Sequence, residues 1–230
     1  MKLRQQILLL VVSATSFSIS AQTVSEGIII YEQKINVHAS LTGSQKAMKA
    51  FIPEFISSKI QLHFKDGLAR LQEVKEEQKG GVQISTSASD LLMDVENMKN
   101  YSFTILGDEK FYTENGFNPK EEKIELLSET KEIAGYKCKS AKMKSENDEY
   151  YILWYCPDLP KYFSPMGLLA LEGTILEIDG DKITYTFLQL EEIAVDEKLL
   201  TKPEGYTKVT EDQLSDLTEE FMEEMQGVVH

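Results

Sequence analysis

The two cysteines of the chain, Cys138 and Cys156, are spaced to react with each other. They lie in two strand-like runs, IAGYKCKSAKM and YYILWYC, on either side of the polar turn SENDE (residues 145–149). A hairpin centred on this turn places Cys138 opposite Cys156 and Ser140 opposite Trp154. Directly opposed residues in an antiparallel pair have Cα atoms about 4.5–5.5 Å apart, a distance that a disulfide can span. The spacing therefore predicts a structural disulfide, with a free or metal-binding thiol pair as the alternative.

Other residue types that carry catalysis or bind metals are sparse. Only three histidines occur, His38, His63 and the terminal His230, and none stands in a motif that pairs a base with a nucleophile. No His-x-His or His-x-x-x-His pair occurs, which argues against a zinc or copper site. The Asp-Gly-Asp run at residues 179–181 lacks the further oxygen ligands of a calcium loop. The sequence thus predicts no catalytic residue, metal or cofactor, and a non-enzymatic protein.

The charge balance narrows the class of partner. Thirty-eight acidic residues face 24 lysines and arginines, a formal net charge of −14. Such a surface repels phosphate backbones and anionic lipid head groups. Neither nucleic-acid binding nor electrostatic docking on a membrane is expected.

The first residues predict export. Lys2 and Arg4 precede the apolar run at residues 7–12, and small residues follow at 18–21. This order is typical of a cleaved signal peptide at residues 1–21. A retained membrane anchor is the alternative, but the apolar run is shorter than the ~20 residues of a membrane span. No cysteine stands at the cleavage site, so we expect a periplasmic or extracellular protein that is not a lipoprotein, with a single domain at 22–230 and no membrane span.

Most of the remaining chain predicts antiparallel β-strands. Three hairpins are indicated by turns at Asp66-Gly67, Gly107-Asp108 and Gly180-Asp181, because glycine supplies the positive φ angle of a tight turn. With the cysteine hairpin and the run EGIIIYEQKINV, about nine strands are expected. Their short connections favour antiparallel meanders over βαβ units.

Two helices are predicted. The internal one has apolar residues at helical spacing, and Pro53 either kinks it or limits it to a few turns; its apolar positions are Met48, Phe51, Ile52, Phe55 and Ile56. The C-terminal one is amphipathic and begins with a capping box of Thr210 and Gln213; its apolar positions are Leu214, Leu217, Phe221, Met222 and Met225. Such a stripe packs on its own domain or on a partner.

Three motifs in the second half resemble those of the GLPGLI family of exported Bacteroidota proteins. They are Gly-Tyr-Lys-Cys at 135–138, Trp-Tyr at 154–155, and an apolar loop that runs into LEGTILEID at 171–179. In the name-giving motif Glu172 stands in place of proline and Thr174 in place of leucine. A sister family of unknown function is therefore the alternative.

The resemblance implies a LolA-like fold: mainly β (α+β), with a curved antiparallel sheet that forms a half-barrel around helical plugs. In that fold the concave face holds an apolar ligand. The strand residues that would line it here, or else fill the core, are Tyr31, Leu62, Phe64, Leu71, Phe103, Tyr112, Trp154, Leu176, Tyr185 and Phe187. The loop residues Met166, Leu168, Leu169 and Leu171 would form a hydrophobic lip over the groove, or else cap the core.

Two functions follow as expectations. The first is a non-enzymatic carrier that holds a lipid or a lipoprotein acyl chain on its concave face. The second is an interaction protein of the cell envelope, which binds a partner through its sheet edge or its acidic C-terminal helix. An open apolar groove favours the carrier, whereas a filled interior with an exposed apolar helix face favours the interaction protein. The sequence does not indicate an oligomeric state.

Overall fold

The computed structural model describes residues 24–41, 43–74, 90–118, 123–145 and 148–227. The predicted signal peptide lies outside the described residues. So does the turn at 146–147, although both strands of the cysteine hairpin are described.

The described residues form one open, curved sheet with a long helix at the C-terminus. The strands are β1 (Glu26–Asn36), β2 (Phe55–Lys65), β3 (Leu68–Glu73), β4 (Asp90–Asp94), β5 (Lys99–Leu106), β6 (Glu109–Gly116), β7 (Ile124–Ile133), β8 (Tyr136–Lys144), β9 (Tyr150–Cys156), β10 (Thr174–Gly180), β11 (Ile183–Glu191) and β12 (Thr207–Lys208). The helices are α1 (Val37–Ser40) and α2 (Glu211–Gly227), with 3₁₀ turns at Gly43–Ala50 and Glu197–Leu200. The predicted mainly-β half-barrel class is confirmed.

The strand order is β12-β6-β5-β4-β3-β2-β1-β11-β10-β9-β8-β7. Neighbours are antiparallel except at one end, where β12 pairs in parallel with β6. The sheet is therefore mixed rather than purely antiparallel. Three of its twelve strands, β4, β7 and β12, were not among the nine predicted.

Two of the three predicted glycine turns have positive φ angles, whereas Gly180 does not and is instead the last residue of β10. Asp66 and Gly67 have φ angles of 47° and 81° between β2 and β3, and Gly107 has a φ angle of 60° between β5 and β6. Glycine adopts such angles without steric cost, and aspartate tolerates them better than most residues. The cysteine hairpin has the predicted register, with Ser140 opposite Trp154.

The main core lies on the concave face of the sheet. Strands β1 to β4 contribute Ile29, Tyr31, Ile60, Leu62, Phe64, Ala69, Leu71, Leu91 and Met93, all in one buried cluster. The connection between β9 and β10 (residues 157–173), here called the plug loop, adds Leu159, Phe163, Leu168, Leu169 and Leu171 to the same cluster. The sheet therefore curls around a segment of its own chain.

A second, smaller cluster lies on the convex face. It consists of Leu92, Tyr101 and Phe103, with Tyr112 and Tyr206 packed against them. Tyr206 belongs to the stretch between β11 and β12 (residues 192–206), here called the back strap. The strap is fastened by Arg70, which donates to the carbonyls of Leu199 (3.3 Å) and Thr201 (2.9 Å).

The predicted internal helix is confirmed only in part. Among the described residues of this region, α1 and the 3₁₀ helix at Gly43–Ala50 are helical and end before Pro53, whereas Phe55 and Ile56, predicted to be helical, begin β2. Pro53 cannot donate a helical hydrogen bond, which weakens a helix across it. As part of a strand, these residues form backbone hydrogen bonds with β1 instead. Strand β2 pairs with β1 along its whole length, from Asn36–Phe55 to Glu26–Lys65.

The predicted C-terminal helix and its capping box are confirmed. The Gln213 amide N–H donates to Thr210 Oγ1 (3.2 Å), and the Thr210 amide N–H donates to Gln213 Oε1 (3.0 Å). This exchange satisfies donors that the first helical turn leaves without partners. Across the described segments, every helix is too short or too polar to cross a membrane.

Candidate functional site

Seven of the residues predicted to line an apolar groove lie in the main core. They are Tyr31, Leu62, Phe64, Leu71, Leu176, Tyr185 and Phe187, each at most 8% exposed. Several of them contact the protein's own chain in the concavity: the Phe64 and Phe163 rings are 5.5 Å apart, and the Tyr31 hydroxyl donates to the Ile175 carbonyl (2.8 Å). At these positions the concave face is filled by the protein itself.

Phe103 and Tyr112 lie on the opposite face, so their predicted place on the concave face is corrected. Successive strand residues point to opposite sides of a sheet. Leu91 belongs to the main core whereas Leu92 belongs to the convex cluster, and Phe103 lies in that same convex cluster. The Phe103 ring packs against Tyr206 of the back strap, with ring centroids 5.3 Å apart.

Trp154 also points away from the concave side. Its neighbours Leu153 and Tyr155 are buried in the main core, and the alternation of the strand turns Trp154 to the other side. There Lys131 Nζ lies 4.3 Å from the centre of the indole ring and pairs with Glu177. Trp154 is thus a half-buried residue that makes a cation–π contact with Lys131, and it does not line the concave face.

The predicted lip is a core element at three of its four positions. Leu168, Leu169 and Leu171 are buried, whereas Met166 is 37% exposed. Gly167 is required in this loop because its φ angle is +71° and an added Cβ would lie 2.4 Å from the Leu91 side chain. The positions of these three leucines agree with the alternative interpretation, in which the loop caps the core. A gating role stays a prediction.

Cys138 and Cys156 are buried neighbours, as the register predicts, but both are free thiols. The predicted disulfide is therefore not present in this structure, and its formation by oxidation stays a prediction. The pKa of Cys156 is lowered to about 7, chiefly by its interaction with the neighbouring Cys138 thiol and also by the backbone N–H groups of Asp158 and Leu159. The same thiol contact raises the pKa of Cys138.

A polar cleft of about 470 Å³ lies between α2 and the sheet. It is lined by Ser102, Thr104, Thr113, Glu211, Leu214, Ser215, Thr218 and Glu219. No pattern noted in the sequence predicted this cleft. A signal for it exists in β5, where hydroxyl residues stand on either side of an aromatic one (Ser102, Phe103, Thr104).

The helix that forms one wall of the cleft is weakly attached. No side chain from Glu211 to Glu224 is buried. Leu214, Leu217 and Phe221 are half-buried, and Met222 is 53% exposed. A polar contact at the start of the helix joins it to β6, where Asn115 Nδ2 donates to Glu211 Oε1 (2.6 Å).

No metal centre is assembled in the described part of the chain, where no three histidine, cysteine, aspartate or glutamate side chains are grouped to hold an ion. Residues 179–181 lie at the β10–β11 hairpin, in agreement with their interpretation as a turn. His63 is a half-buried strand residue whose pKa is lowered by burial. His38 Nε2 lies 3.0 Å from the Ile52 carbonyl.

Comparisons with known proteins relate the fold to part of a larger protein. No protein-family model matches the chain, and no curated protein matches it significantly. Among solved structures, PNGF-II in its P21 crystal form aligns with a TM-score of 0.60 and 18% identity over 84% of this chain and 33% of that one. The C2 form gives a TM-score of 0.61 and 17% identity over 84% and 32%.

A further solved structure, an uncharacterized conserved protein from Thermus thermophilus, aligns with a TM-score of 0.42 and 7% identity over 81% of this chain and 91% of that one. The chain spans about a third of the length of PNGF-II. At these identities the likeness concerns the fold alone. The chain is thus similar in fold to one part of PNGF-II.

Proposed function

We propose that the protein is a non-enzymatic interaction protein of the cell envelope that binds a protein partner through α2. The observation that supports this proposal is the exposure of the helix. Along the fourteen residues from Glu211 to Glu224 no side chain is fully buried: Leu214, Leu217 and Phe221 are partly covered, and Met222 is 53% exposed. An amphipathic helix is ordinarily stabilised by burial of its apolar face, so an apolar face that its own domain covers only in part leaves area for a second surface.

The chemistry of the helix indicates the kind of partner. Between Glu211 and Gly227 seven residues are acidic, and none is lysine or arginine. Leu214, Leu217 and Phe221 recur at the spacing used by helices that bind in apolar grooves. The complementary surface is an apolar groove with a basic rim, and the opposite charges would accelerate association at low salt.

A carrier of an apolar ligand is the second candidate. It is favoured by the plug loop, which covers the predicted lining residues and has no regular secondary structure. A lipid would have to displace side chains such as Leu169 and Phe163, which are buried now. Displacement exposes apolar surface at about 25 cal/mol per Å², so the ligand would have to bury at least as much.

Site-specific photo-crosslinking in the native host tests the proposal. A photo-reactive residue replaces Met222, and a matched one replaces Leu188, an exposed apolar residue of β11. The captured protein is then purified, and its binding to the unmodified chain is measured by calorimetry at several salt concentrations. We expect a crosslink from position 222 only, and binding that weakens with salt and is lost in Leu217→Asp.

Equal capture from both positions, or binding that Leu217→Asp leaves intact, would contradict the proposal. Native mass spectrometry of the same preparation tests the second candidate. A bound lipid mass that disappears when the plug loop is anchored in place would favour the carrier. Anchoring is achieved with a cysteine pair between the loop and β4.

A further inference from the structure

The cleft beside α2 has two walls of different chemistry. Ser102, Thr104 and Thr113 form the sheet wall, and Ser102 is directly opposite Thr113 in the β5–β6 ladder. Glu211, Ser215 and Glu219 are on the helix wall. The volume of about 470 Å³ falls within the ~300–1,000 Å³ that is usual for ligand sites.

The sheet wall carries a hydroxyl that is open to the cleft. Thr113 is only 3% exposed and lines the cleft, and its hydroxyl has no hydrogen-bond partner among the described residues. Buried polar groups are ordinarily paired, so this hydroxyl is suited to an added hydrogen-bond donor. Asn100 Oδ1, on the same strand as Ser102, is also buried without a partner, but Asn100 does not line the cleft, and its amide nitrogen donates to the Gly167 carbonyl of the plug loop (2.5 Å).

The charge of the lining favours a cation. Two carboxylates, Glu211 and Glu219, line the cleft, and no lysine or arginine does. The nearest cations in sequence are used elsewhere. Lys99 and Lys208 both bind Glu114, which points to the opposite face from Thr113. Lys110 Nζ lies 5.8 Å from the centre of the Tyr206 ring, on the convex face. Anionic ligands are therefore repelled, and a positively charged donor is attracted.

We propose that the cleft binds the guanidinium group of an arginine side chain presented by the partner of α2. A guanidinium carries five N–H donors in one plane, so it can reach hydroxyls on the sheet wall and carboxylates on the helix wall together. An ammonium has only three donors around a single point. That a partner protein supplies the arginine rests on the proposed function. That the cleft binds a guanidinium group rests on the residues that line the cleft.

Binding of small probes to the purified chain tests the chemistry directly. N-acetyl-arginine amide, N-acetyl-lysine amide and the neutral isostere N-acetyl-citrulline amide are titrated while backbone amide signals are followed by NMR. We expect the arginine probe to shift the signals of Ser102, Thr113 and Ser215 and to bind more tightly than lysine. Citrulline should produce no saturable shift.

Matched variants locate the site. Glu219→Gln removes a carboxylate from the cleft, whereas Glu220→Gln removes the same charge from the next residue of α2, which does not line it. We expect Glu219→Gln to weaken the arginine probe about two- to fivefold, the scale of a solvent-exposed ion pair. Thr113→Val, which removes a hydroxyl at nearly constant shape, should also weaken it, and Glu220→Gln should not.

Equal binding of arginine and citrulline, or equal effects of the two glutamine variants, would overturn the inference. Its failure is distinguishable from failure of the proposed function. If the partner still binds α2 through Leu217 while Glu219→Gln has no effect on that binding, the helix function stands and the arginine site does not. If the arginine probe binds the cleft but no partner protein binds through α2, the arginine site is supported, and the proposal that a partner of α2 supplies the arginine is wrong.

Discussion

Arg70 and Asp90 form a two-pronged ion pair between adjacent strands, with Nε–Oδ1 at 2.7 Å and Nη2–Oδ2 at 2.6 Å. The Arg70 side chain is 7% exposed, and its guanidinium lies 4.9 Å over the Phe103 ring. Because the same group also holds two carbonyls of the back strap, it joins β3, β4 and the strap on the convex face.

Replacement of Arg70 should be strongly destabilising. We expect Arg70→Met to lower the free energy of unfolding by about 3 kcal/mol, the low end for a broken buried pair, because Asp90 stays partly solvated. Arg70→Lys keeps the charge but not the fork, and should lose an intermediate amount. Urea denaturation followed by circular dichroism measures both. A loss under about 1 kcal/mol in the Met variant would show that the strap does not depend on this residue.

The plug loop offers a matched pair of substitutions. Leu169 is fully buried whereas Met166, three residues earlier, is exposed. Leu169→Ala should lower the free energy of unfolding by about 2–5 kcal/mol, because it leaves a cavity in the main core. Met166→Ala should change it by no more than about 0.5 kcal/mol. Similar effects of the two substitutions in thermal or urea unfolding would mean that the loop is not a core element.

The cysteine pair should oxidise readily. Since the pKa of Cys156 is lowered to about 7, its thiolate fraction rises through neutral pH, and thiolate is the reactive form. We expect protein isolated from an oxidising compartment to lack thiols that alkylate after unfolding, as measured by mass spectrometry. Reduction of the bond should cost about 3 kcal/mol of stability. Complete alkylation without a reductant would contradict the prediction, and Cys138→Ala provides the single-thiol control.

The ion pairs of Glu114 should contribute to stability in a defined pH range. Lys208 and Lys99 lower the pKa of Glu114 from 4.5 to about 2. A carboxyl with a lowered pKa in the folded state contributes stability above its ordinary pKa and loses it as pH falls toward the lowered value. The stability difference between the wild type and Glu114→Gln should therefore be constant above about pH 5 and vanish near pH 2.

Urea midpoints measured from about pH 7 to about pH 2 check this. Glu109→Gln, on the same strand, controls for the loss of one negative charge. A difference between wild type and Glu114→Gln that stays the same across the range would refute the assignment.

The hairpins and the register of the cysteine strands could be predicted because their determinants are local. The Asp66-Gly67 turn specifies positive φ angles within two residues, and the spacing of Cys138 and Cys156 about a short turn specifies which residues face each other. The Thr210–Gln213 capping box is equally local. None of these features depends on the rest of the chain.

The wrong predictions depend on distant partners. The helical spacing around Phe55 is outweighed by an eleven-residue ladder with β1, which no local pattern shows. The prediction that Phe103 lies on the concave face assumes that apolar strand residues face a single core. The back strap creates a second buried surface on the convex side, so Tyr101, Phe103 and Tyr112 point there. The hydroxyl residues left on the concave side then form the cleft wall.

The two-residue β12 has a consequence for the motions of the C-terminus. No side chain from Glu211 to Glu224 is fully buried, and β12 adds only two residues to the edge of the sheet, so the terminal segment can detach while β1 to β11 keep their ladders. Amide protons of α2 should then exchange with deuterated solvent through a small, denaturant-insensitive opening. Those of central strands such as β1 should exchange only when the whole domain unfolds. The last helix would then move relative to the folded sheet while it stays covalently connected to it.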